Sequence, residues 1–318
     1  MQTKSICIVG SGFMAFEHAK AALELEYDNV FIIGRSQKSF EKYFDDLDSN
    51  ARLIFLTGGL ETWFQSAHFD STILHINAVA IEALNEITHE LVKHKIQKIL
   101  LEKPGALEIE ELQELKDASE YYGSKIVIGY NRRHYASIRK LKKILSKENI
   151  TSFEFEFTEW VDRINPNDYS EKALNNWIKS NSAHVIDTAF YLASGMPTEL
   201  NAISKGKNQI TWHPQASVFI GSGMVGDIPF SYNADWTSQG RWKIYIRTDK
   251  GKYVLEPMEK LGFIPKNSIH IQEVTIDDDK SKPGLEHQIR SLENSSYSEF
   301  CSIDDQIELF RLIKLISA

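Results

Sequence analysis

Cysteine is almost absent from this 318-residue chain, which contains only two. Cys7 lies in an apolar segment and Cys301 lies close to the end, so we expect no disulfide and a reducing, cytoplasmic compartment. Long apolar runs are missing too, since none approaches the roughly 20 residues that span a bilayer. Because the first apolar segment already begins at Ser5, we also expect no signal peptide and no membrane partner.

Positive charge is in deficit. The chain has 36 Lys and Arg against 44 Asp and Glu, a net charge of −8. Nucleic-acid-binding proteins are usually basic or carry a basic stripe, so nucleic acid is not an expected partner. No metal site is predicted either, because these histidines show no metal-ligand spacing: His18, His68, His75, His89, His94, His213, His270 and His287.

The first 130 residues alternate short apolar segments with helical patterns. This is the βαβ rhythm of a doubly wound parallel sheet that is covered on both faces. The predicted strands are Ser5–Val9, Asn29–Ile33, Arg52–Leu56, Thr72–Val79, Ile96–Leu101 and Lys125–Gly129. The predicted helices lie near Met14–Leu25, Ser39–Leu47, Ile81–Lys93 and Ile109–Tyr121.

After Tyr130 the pattern changes to that of an α+β domain. The segment from Ser152 to Trp160 alternates apolar and acidic residues, which is typical of a half-buried antiparallel strand. We therefore predict a Rossmann domain over residues 1–130 and an α+β domain with a mostly antiparallel sheet over residues 131–318, the last helix packing back on the first domain. Further predicted elements are helices near Tyr135–Leu145, Lys172–Lys179, Ala183–Ala193 and Ile303–Ile316, and strands Ala216–Ile220, Phe230–Trp236, Trp242–Thr248 and Tyr253–Leu255.

A glycine fingerprint of the form G-x-G-x-x-A follows the first strand and opens the first helix. The first glycine permits the tight turn, the second lets the backbone approach a pyrophosphate, and the small third residue allows close helix–strand packing. Amides at the helix start then face the phosphates. The sequence therefore predicts a dinucleotide site at Gly10, Ser11, Gly12, Phe13 and Met14, ahead of Ala15.

The residues after the second predicted strand distinguish between the two nicotinamide cofactors. NAD enzymes commonly place a carboxylate there for the ribose 2′-hydroxyl, whereas this chain has Arg35, Ser36 and Lys38. A guanidinium pairs with a 2′-phosphate in a bidentate manner. The segment favours NADP(H), with NAD(H) as the alternative if Arg35 is simply an exposed loop residue.

A lysine follows the fifth predicted strand, in the segment Glu102-Lys103-Pro104-Gly105. The carboxyl end of a parallel strand faces the crevice where such sheets bind ligands, and proline stops the strand. Together with the glycine fingerprint, this position predicts a nicotinamide-dependent enzyme with Lys103 at the hydride-transfer site.

The chain resembles the glucose–fructose oxidoreductase, inositol dehydrogenase and MocA oxidoreductases over essentially its full length. The resemblance rests on the glycine fingerprint, Glu102-Lys103-Pro104, Gly129-Tyr130-Asn131-Arg132-Arg133 and Ser182-Ala183-His184-Val185-Ile186-Asp187, in the family's order and spacing. It implies a Rossmann domain, a second domain whose open-faced sheet forms subunit contacts, and hydride transfer on a sugar or cyclitol. The expected assembly is a homo-oligomer, a dimer or a tetramer.

The resemblance also implies the catalytic pair. Lys103 falls on the family's catalytic lysine, and its ammonium can donate to a carbonyl oxygen or stabilise an alkoxide. His184 falls on the catalytic histidine, and with Asn181 or Ser182 as N-cap it is expected in the first turn of a helix. There the positive helix end disfavours imidazolium and leaves a neutral ring that exchanges a proton with a sugar hydroxyl.

Two departures from the family pattern concern this site. Many members carry Asp four residues before the histidine and Gly two before, where this chain has Ser180 and Ser182. The direction of the reaction and its proton relay are therefore open. The second departure is that the usual Thr-Pro after the fourth strand is replaced. Asn77 and Ala78 are expected beside the nicotinamide ribose, and Glu102 is expected at the cofactor site as well.

Substrate contacts are expected from Asn131, Arg132, Arg133, Trp160, Asn181 and Asp187. The two arginines are equally consistent with binding an anionic group of the substrate and with an interdomain ion pair. Trp160 is consistent with stacking on a sugar ring and with packing at an interface. The leading hypothesis is an NADP-dependent oxidoreductase of a sugar or sugar derivative, such as a nucleotide sugar or a surface-polysaccharide precursor. A non-sugar reductase of the same family and a catalytically silent NADP-binding sensor are the alternatives.

Overall fold

The computed structural model describes residues 3–44, 47, 51–277 and 281–318. The chain divides into two compact units, the first made of Met1–Asn131 with Asp279–Ile307 and the second of Arg132–Asp278 with Glu308–Ala318. The sequence-based division into residues 1–130 and 131–318 stays a prediction. Among the described residues, no helix combines the length and the apolar character that a bilayer span requires.

The first unit contains a six-stranded sheet in the order β3-β2-β1-β4-β5-β6, and every neighbouring pair in it is parallel. The order reverses between β1 and β4, which is the switch point where such sheets bind dinucleotides. The predicted Rossmann sheet is confirmed. Its strands are β1 (Ser5–Val9), β2 (Asn29–Ile33), β3 (Leu53–Leu56), β4 (Leu74–Asn77), β5 (Lys98–Glu102) and β6 (Lys125–Gly129).

Helices of the first unit follow the predicted pattern, with one addition within the first 131 residues and another after residue 281. They are α1 (Phe13–Glu24), α2 (Lys38–Phe44), α3 (Gly59–Gln65), α4 (Leu84–Lys93), α5 (Ile109–Tyr122) and α9 (Leu285–Glu293). The sequence analysis missed α3 and α9. The α9 helix packs beside α1, and Leu285, Ile289 and Leu292 belong to the same buried cluster as the apolar residues of β1 and α1.

The second unit is built on an eight-stranded sheet in the order β14-β13-β12-β11-β7-β10-β9-β8. All its neighbouring pairs are antiparallel except β7 with β10, so the predicted mostly antiparallel sheet is confirmed. The strands are β7 (Ile150–Glu156), β8 (Glu199–Lys205), β9 (Val218–Val225), β10 (Ile228–Asp235), β11 (Lys243–Thr248), β12 (Gly251–Leu255), β13 (Gly262–Pro265) and β14 (Gln272–Glu273). The helices include α6 (Ala136–Leu145), α7 (Glu171–Asn175) and α8 (Ala183–Ala193), and α10 (Ile303–Ser317) ends in this unit.

Aromatic side chains of this sheet form a core rather than an open surface. Phe153 and Phe155 of β7 contact Phe190 of α8, and the rings of Phe157, Trp236 and Trp242 are buried as well. These aromatic side chains therefore do not form an uncovered apolar face, and α8 covers Phe153 and Phe155. The exposed apolar residues of the sheet are instead Ile203 and Ile220, a cross-strand pair between β8 and β9 on the opposite face.

Candidate active site

The turn between β1 and α1 has the geometry that the glycine fingerprint predicts. Gly10 has a φ of +128°, and a Cβ there would lie 2.5 Å from the carbonyl oxygen of Ala78. Only glycine therefore fits between β1 and the residue that follows β4. A Cβ at Gly12 would instead meet nothing within 4 Å, so open space lies in front of the α1 N-terminus, where a pyrophosphate would be held by backbone N–H groups.

The first residues of α1 offer no negative charge to repel a phosphate. Phe13 is 48% exposed, and the ammonium nitrogen of Lys282 lies 4.6 Å from its ring centroid. Ser11 is half-buried, and the Met14 side chain packs against the core of the unit. Sequence reasoning missed Lys282, since nothing in its surroundings along the chain relates it to a segment almost 270 residues earlier.

The segment after β2 is solvent-exposed, including the side chains of Arg35, Ser36 and Lys38. Its backbone is fixed from β3, because the N–H of Gly58 donates to the carbonyl of Arg35 at 3.3 Å and that of Gly59 to Gly34 at 3.0 Å. These side chains stand at the carboxyl edge of β2, the neighbour of β1 in the sheet. That edge is the side on which a ribose 2′-substituent lies in dinucleotide-binding sheets.

Asn77, at the end of β4, is fully buried. Its amide nitrogen donates to the carbonyl of Leu84 and to the Thr88 hydroxyl, both at 2.9 Å. These bonds hold the start of α4 against the end of β4, so the amide N–H groups of Asn77 stabilise the fold. Its predicted place beside the nicotinamide ribose stays a prediction.

Glu102 ties the end of β5 to α1. Its Oε1 lies 2.8 Å from Nε2 of the fully buried His18, and its Oε2 accepts from the backbone N–H of Lys103 at 3.2 Å. The Lys103–Pro104 peptide bond is cis, and Lys103 itself is half-buried. His18, which the sequence analysis treated only as one of several unrelated histidines, is thus a buried partner of the residue that positions Lys103.

Asn131, which follows β6, is buried and donates through its amide nitrogen to the carbonyl of Pro283 at 3.1 Å. This bond fastens the returning segment just before α9, next to Lys282. The residue was expected to bind substrate, and that role stays a prediction.

His184 lies near the start of α8, and its surroundings differ from the expectation. A π-helical turn over Ile178–Ser182 precedes α8 without a break, and Ser182 has helical dihedral angles of −64° and −21° without a side-chain cap bond. The backbone is therefore already helical before His184, so the predicted free helix end and its dipole effect are wrong. The ring is buried, with its centroid 6.0 Å from that of Trp242.

Asp187, one turn after His184, pairs with Arg133. The guanidinium donates from Nε to Oδ2 at 2.8 Å and from Nη2 to Oδ1 at 2.6 Å, and both residues are buried. The guanidinium also lies 4.7 Å from the Tyr191 ring centroid. Arg133 thus forms an ion pair within the second unit, whereas the alternative expected for the arginines was an interdomain pair. Substrate binding by either arginine stays a prediction.

Glu159 is a buried carboxyl that sequence reasoning missed. Its side chain is 2% exposed, and it accepts from the Ser182 hydroxyl at 2.6 Å and from the Asn181 amide at 3.1 Å. The nearest guanidinium nitrogen, of Arg241, is 3.9 Å away. Burial raises the pKa of Glu159 to about 7, against the opposing effect of these donors. The alternation in the sequence could have predicted this burial, because Glu159 continues the every-second-residue series of the inward-facing Phe153, Phe155 and Phe157.

Glu159 lines a pocket of about 420 Å³ together with Trp160, Asp162, Arg163, Trp236 and Gln239. Trp160 is 41% exposed, and its indole N–H donates to the carbonyl of Gly240 at 2.7 Å. The guanidinium carbons of Arg163 and Arg241 lie 4.5 and 4.7 Å from its ring centroid. Arg132 lies 4.5 Å from the Trp242 ring centroid. The predicted stacking of a sugar on Trp160 would therefore compete with Arg163 and Arg241 for the indole ring.

Comparison with known proteins bears on the fold. No protein-family model matches the chain, and no curated protein matches its sequence. An oxidoreductase from Agrobacterium radiobacter, in complex with NAD+, L-tartaric acid and magnesium, matches with a TM-score of 0.75 at 16% identity over 98% of this chain and 95% of its own. An aldose–aldose oxidoreductase from Caulobacter crescentus, complexed with glycerol, matches at 0.78 and 13% over 99% and 96%.

The chain has the fold of the glucose–fructose oxidoreductase, inositol dehydrogenase and MocA oxidoreductases. The fold that the resemblance implied is thereby confirmed. A further similar structure is that of the transcriptional regulator Gal80p from Kluyveromyces lactis, with a TM-score of 0.75 at 17% identity over 99% of this chain and 89% of its own. The same fold thus occurs in oxidoreductases and in a regulator, so function must be argued from the site.

Proposed function

We propose that this protein is an NADP(H)-preferring oxidoreductase that transfers hydride to or from a sugar or sugar derivative. The observation that carries the proposal is the pairing of an open cradle in front of α1, at Gly12, with a lysine at the carboxyl end of β5. Both lie on the edge of the sheet where a dinucleotide binds. Arg35 supports the phosphorylated form of the cofactor, because it stands where a carboxylate would repel a 2′-phosphate.

In this proposal the bound nicotinamide supplies or accepts the hydride. Lys103 donates a hydrogen bond to the oxygen of the reacting carbon, which stabilises the charge that develops there. Glu102 fixes the backbone of Lys103 by accepting its N–H, and His18 fixes Glu102 in turn. His184 exchanges the proton of the substrate hydroxyl.

The proposal is tested with a panel of sugars, nucleotide sugars and cyclitols while the absorbance of the reduced cofactor is followed. Lys103→Met should leave cofactor affinity nearly unchanged and slow single-turnover hydride transfer on the order of 10²–10³-fold, about 3–4 kcal/mol. Lys98→Met is the matched control, since Lys98 begins the same strand at its opposite end. Transfer at the parent rate in Lys103→Met would contradict the assignment.

The same assay separates the proposal from the silent-sensor alternative, which the likeness to Gal80p brings forward. A sensor would bind NADPH with measurable affinity and turn over no member of the panel. A reductase of non-sugar substrates would do the same with sugars but reduce carbonyl compounds of another class. His184→Ala further separates an enzyme from a sensor, because removal of a proton-exchanging group lowers the turnover rate of an enzyme and leaves NADPH binding by a sensor unchanged.

A further inference from the structure

The starting observation is a buried carboxyl whose hydrogen-bond partners are all neutral. Glu159 accepts from the Ser182 hydroxyl at 2.6 Å, and the amide nitrogen of Asn181 donates to both Glu159 oxygens at 3.1 Å. The Arg241 guanidinium lies 3.9 Å away and is 43% exposed, and the buried Arg132 also interacts with the carboxylate. Burial of the carboxyl outweighs the effect of these donors and of Arg241, so the neutral form of Glu159 is favoured relative to an exposed carboxyl.

Both donors belong to the turn that leads into His184. Asn181 and Ser182 end the π-helical turn Ile178–Ser182, and α8 begins at the next residue. Single π-turns of this kind are rare and often occur at functional sites. The turn is also fastened at its other side, where the Ser180 hydroxyl donates to the carbonyl of Ala173 at 3.2 Å.

We propose that Glu159 is a positioning residue for His184: its carboxylate holds the turn of Asn181 and Ser182 beside the pocket, and protonation of the carboxyl loosens that turn. This inference rests on the proposed function only for the role of His184. Glu159 itself also lines the pocket, so a polyol bound there would meet the group that sets the turn.

The chemistry of the two protonation states explains the switch. As a carboxylate, Glu159 accepts every hydrogen bond offered to it by Ser182 and Asn181. When a proton from solvent adds to one oxygen, that oxygen becomes a donor that faces another donor, and one bond of the turn is lost. Burial raises the pKa of Glu159 to about 7, so the exchange takes place near neutral pH.

The charged and titratable groups that act on Glu159 come from three other segments. Arg241 favours the ionised form of Glu159. Arg132 and Tyr169 interact with the same carboxylate, which stabilises the charged form of Arg132 and opposes ionisation of the Tyr169 phenol. Because Glu159→Gln removes the Glu159 carboxyl alone, that variant tests whether the expected transition belongs to this group.

Hydrogen–deuterium exchange of the peptide spanning residues 178–184 tests the inference without any substrate. In the parent protein the peptide should exchange about tenfold faster at about pH 6 than at about pH 8, after correction for intrinsic rates. Glu159→Gln should exchange at the fast rate at both values, because glutamine cannot accept all these bonds. Asp162→Asn is the matched control, since Asp162 is a neighbouring, exposed acidic residue of the same pocket.

Ser182→Ala provides a second variant that keeps the carboxyl. Loss of the 2.6 Å bond removes a donor that favours the ionised form, so the transition should move to higher pH. If a substrate is found, Glu159→Gln should lower kcat about tenfold with little change in KM and flatten the pH profile between about pH 6 and about pH 8. Equal exchange in the parent and in Glu159→Gln at both values overturns the inference, whether or not the panel yields a substrate.

Discussion

The Arg133–Asp187 pair should be essential for the stability of the second unit. Two hydrogen bonds of 2.8 and 2.6 Å join side chains that are 9% and 2% exposed. Removing one partner leaves the other charge buried without its counter-ion, which typically costs about 3–5 kcal/mol. We therefore expect Asp187→Leu and Arg133→Met each to lower the free energy of unfolding by this amount.

The double variant distinguishes an ion-pair effect from a packing effect. Replacing a buried ion pair by apolar residues of similar volume is often nearly neutral, so Arg133→Met with Asp187→Leu should lose less than either single variant. Urea unfolding followed by tryptophan fluorescence measures this, since Trp63 is the one tryptophan of the first unit and the second contains the rest of the six. An unchanged urea midpoint in Asp187→Leu would refute the reasoning.

Two further measurements sharpen this test. Arg247→Gln is the control, because Arg247 forms an exposed pair with Glu154 and such pairs contribute about 0–1 kcal/mol. Lys142 provides a pH signature: burial, with repulsion from Arg133, lowers its pKa to about 8. Its charged form therefore destabilises the fold, and parent stability should rise between about pH 8 and about pH 10.5 as Lys142 loses its proton. That rise should be smaller in Arg133→Met.

Substitutions at five other positions have expected outcomes as well. Gly10→Ala should destabilise the protein by about 2 kcal/mol or more in thermal unfolding because its Cβ collides with backbone, whereas Gly12→Val should fold normally and lose NADPH affinity in fluorescence titration. Arg35→Asp should reverse the preference for NADPH over NADH by a few kcal/mol, and equal affinities in the parent would contradict this. The free energy of unfolding of Glu159→Gln should rise by up to about 3 kcal/mol relative to the parent as the pH increases from about 4.5 to about 7. The reason is that the parent loses stability over this range, where the unfolded chain ionises Glu159 and the folded protein holds it neutral. A melting-temperature difference that stays constant over this range would contradict the prediction. Ile220→Lys should shift an oligomer towards monomer in light scattering, if the sheet face that carries Ile220 forms the subunit contact.

The parallel sheet was predictable because its strands are continuous apolar runs, and such runs occur where both faces of a strand are covered. The same reasoning missed α3, which begins at Gly59 directly after Gly58; both glycines have positive φ. A glycine pair indicates a turn, and the short helix after it buries only Trp63. The pattern of α9 was present in Leu285, Ile289 and Leu292 at helical spacing, but Pro283 and Gly284 directly before it indicate a loop.

The candidate site was predictable as far as local sequence sets local geometry. The turn at Gly10 and the strand end before Lys103 depend on residues next to each other in the chain, and both lie close to their predicted positions, although the cis Lys103–Pro104 bond was not predicted. Pairings across the chain were not predictable: His18 meets Glu102 across 84 positions, and Arg133 meets Asp187 across 54. These depend on tertiary packing, which a single sequence does not reveal through spacing.

Two buried carboxyls close to His184 have opposite environments, and this contrast assigns their roles. Asp187 faces a guanidinium through two short bonds and is therefore part of a fixed ion pair that anchors α8. Glu159 faces a hydroxyl and an amide, and these neutral groups favour its charged form too weakly to offset its burial. When neighbouring carboxyls differ in this way, one remains charged and the other exchanges a proton. The chain lacks a carboxylate at Ser180, but the fold brings the Glu159 carboxyl to the same turn from the segment that follows β7.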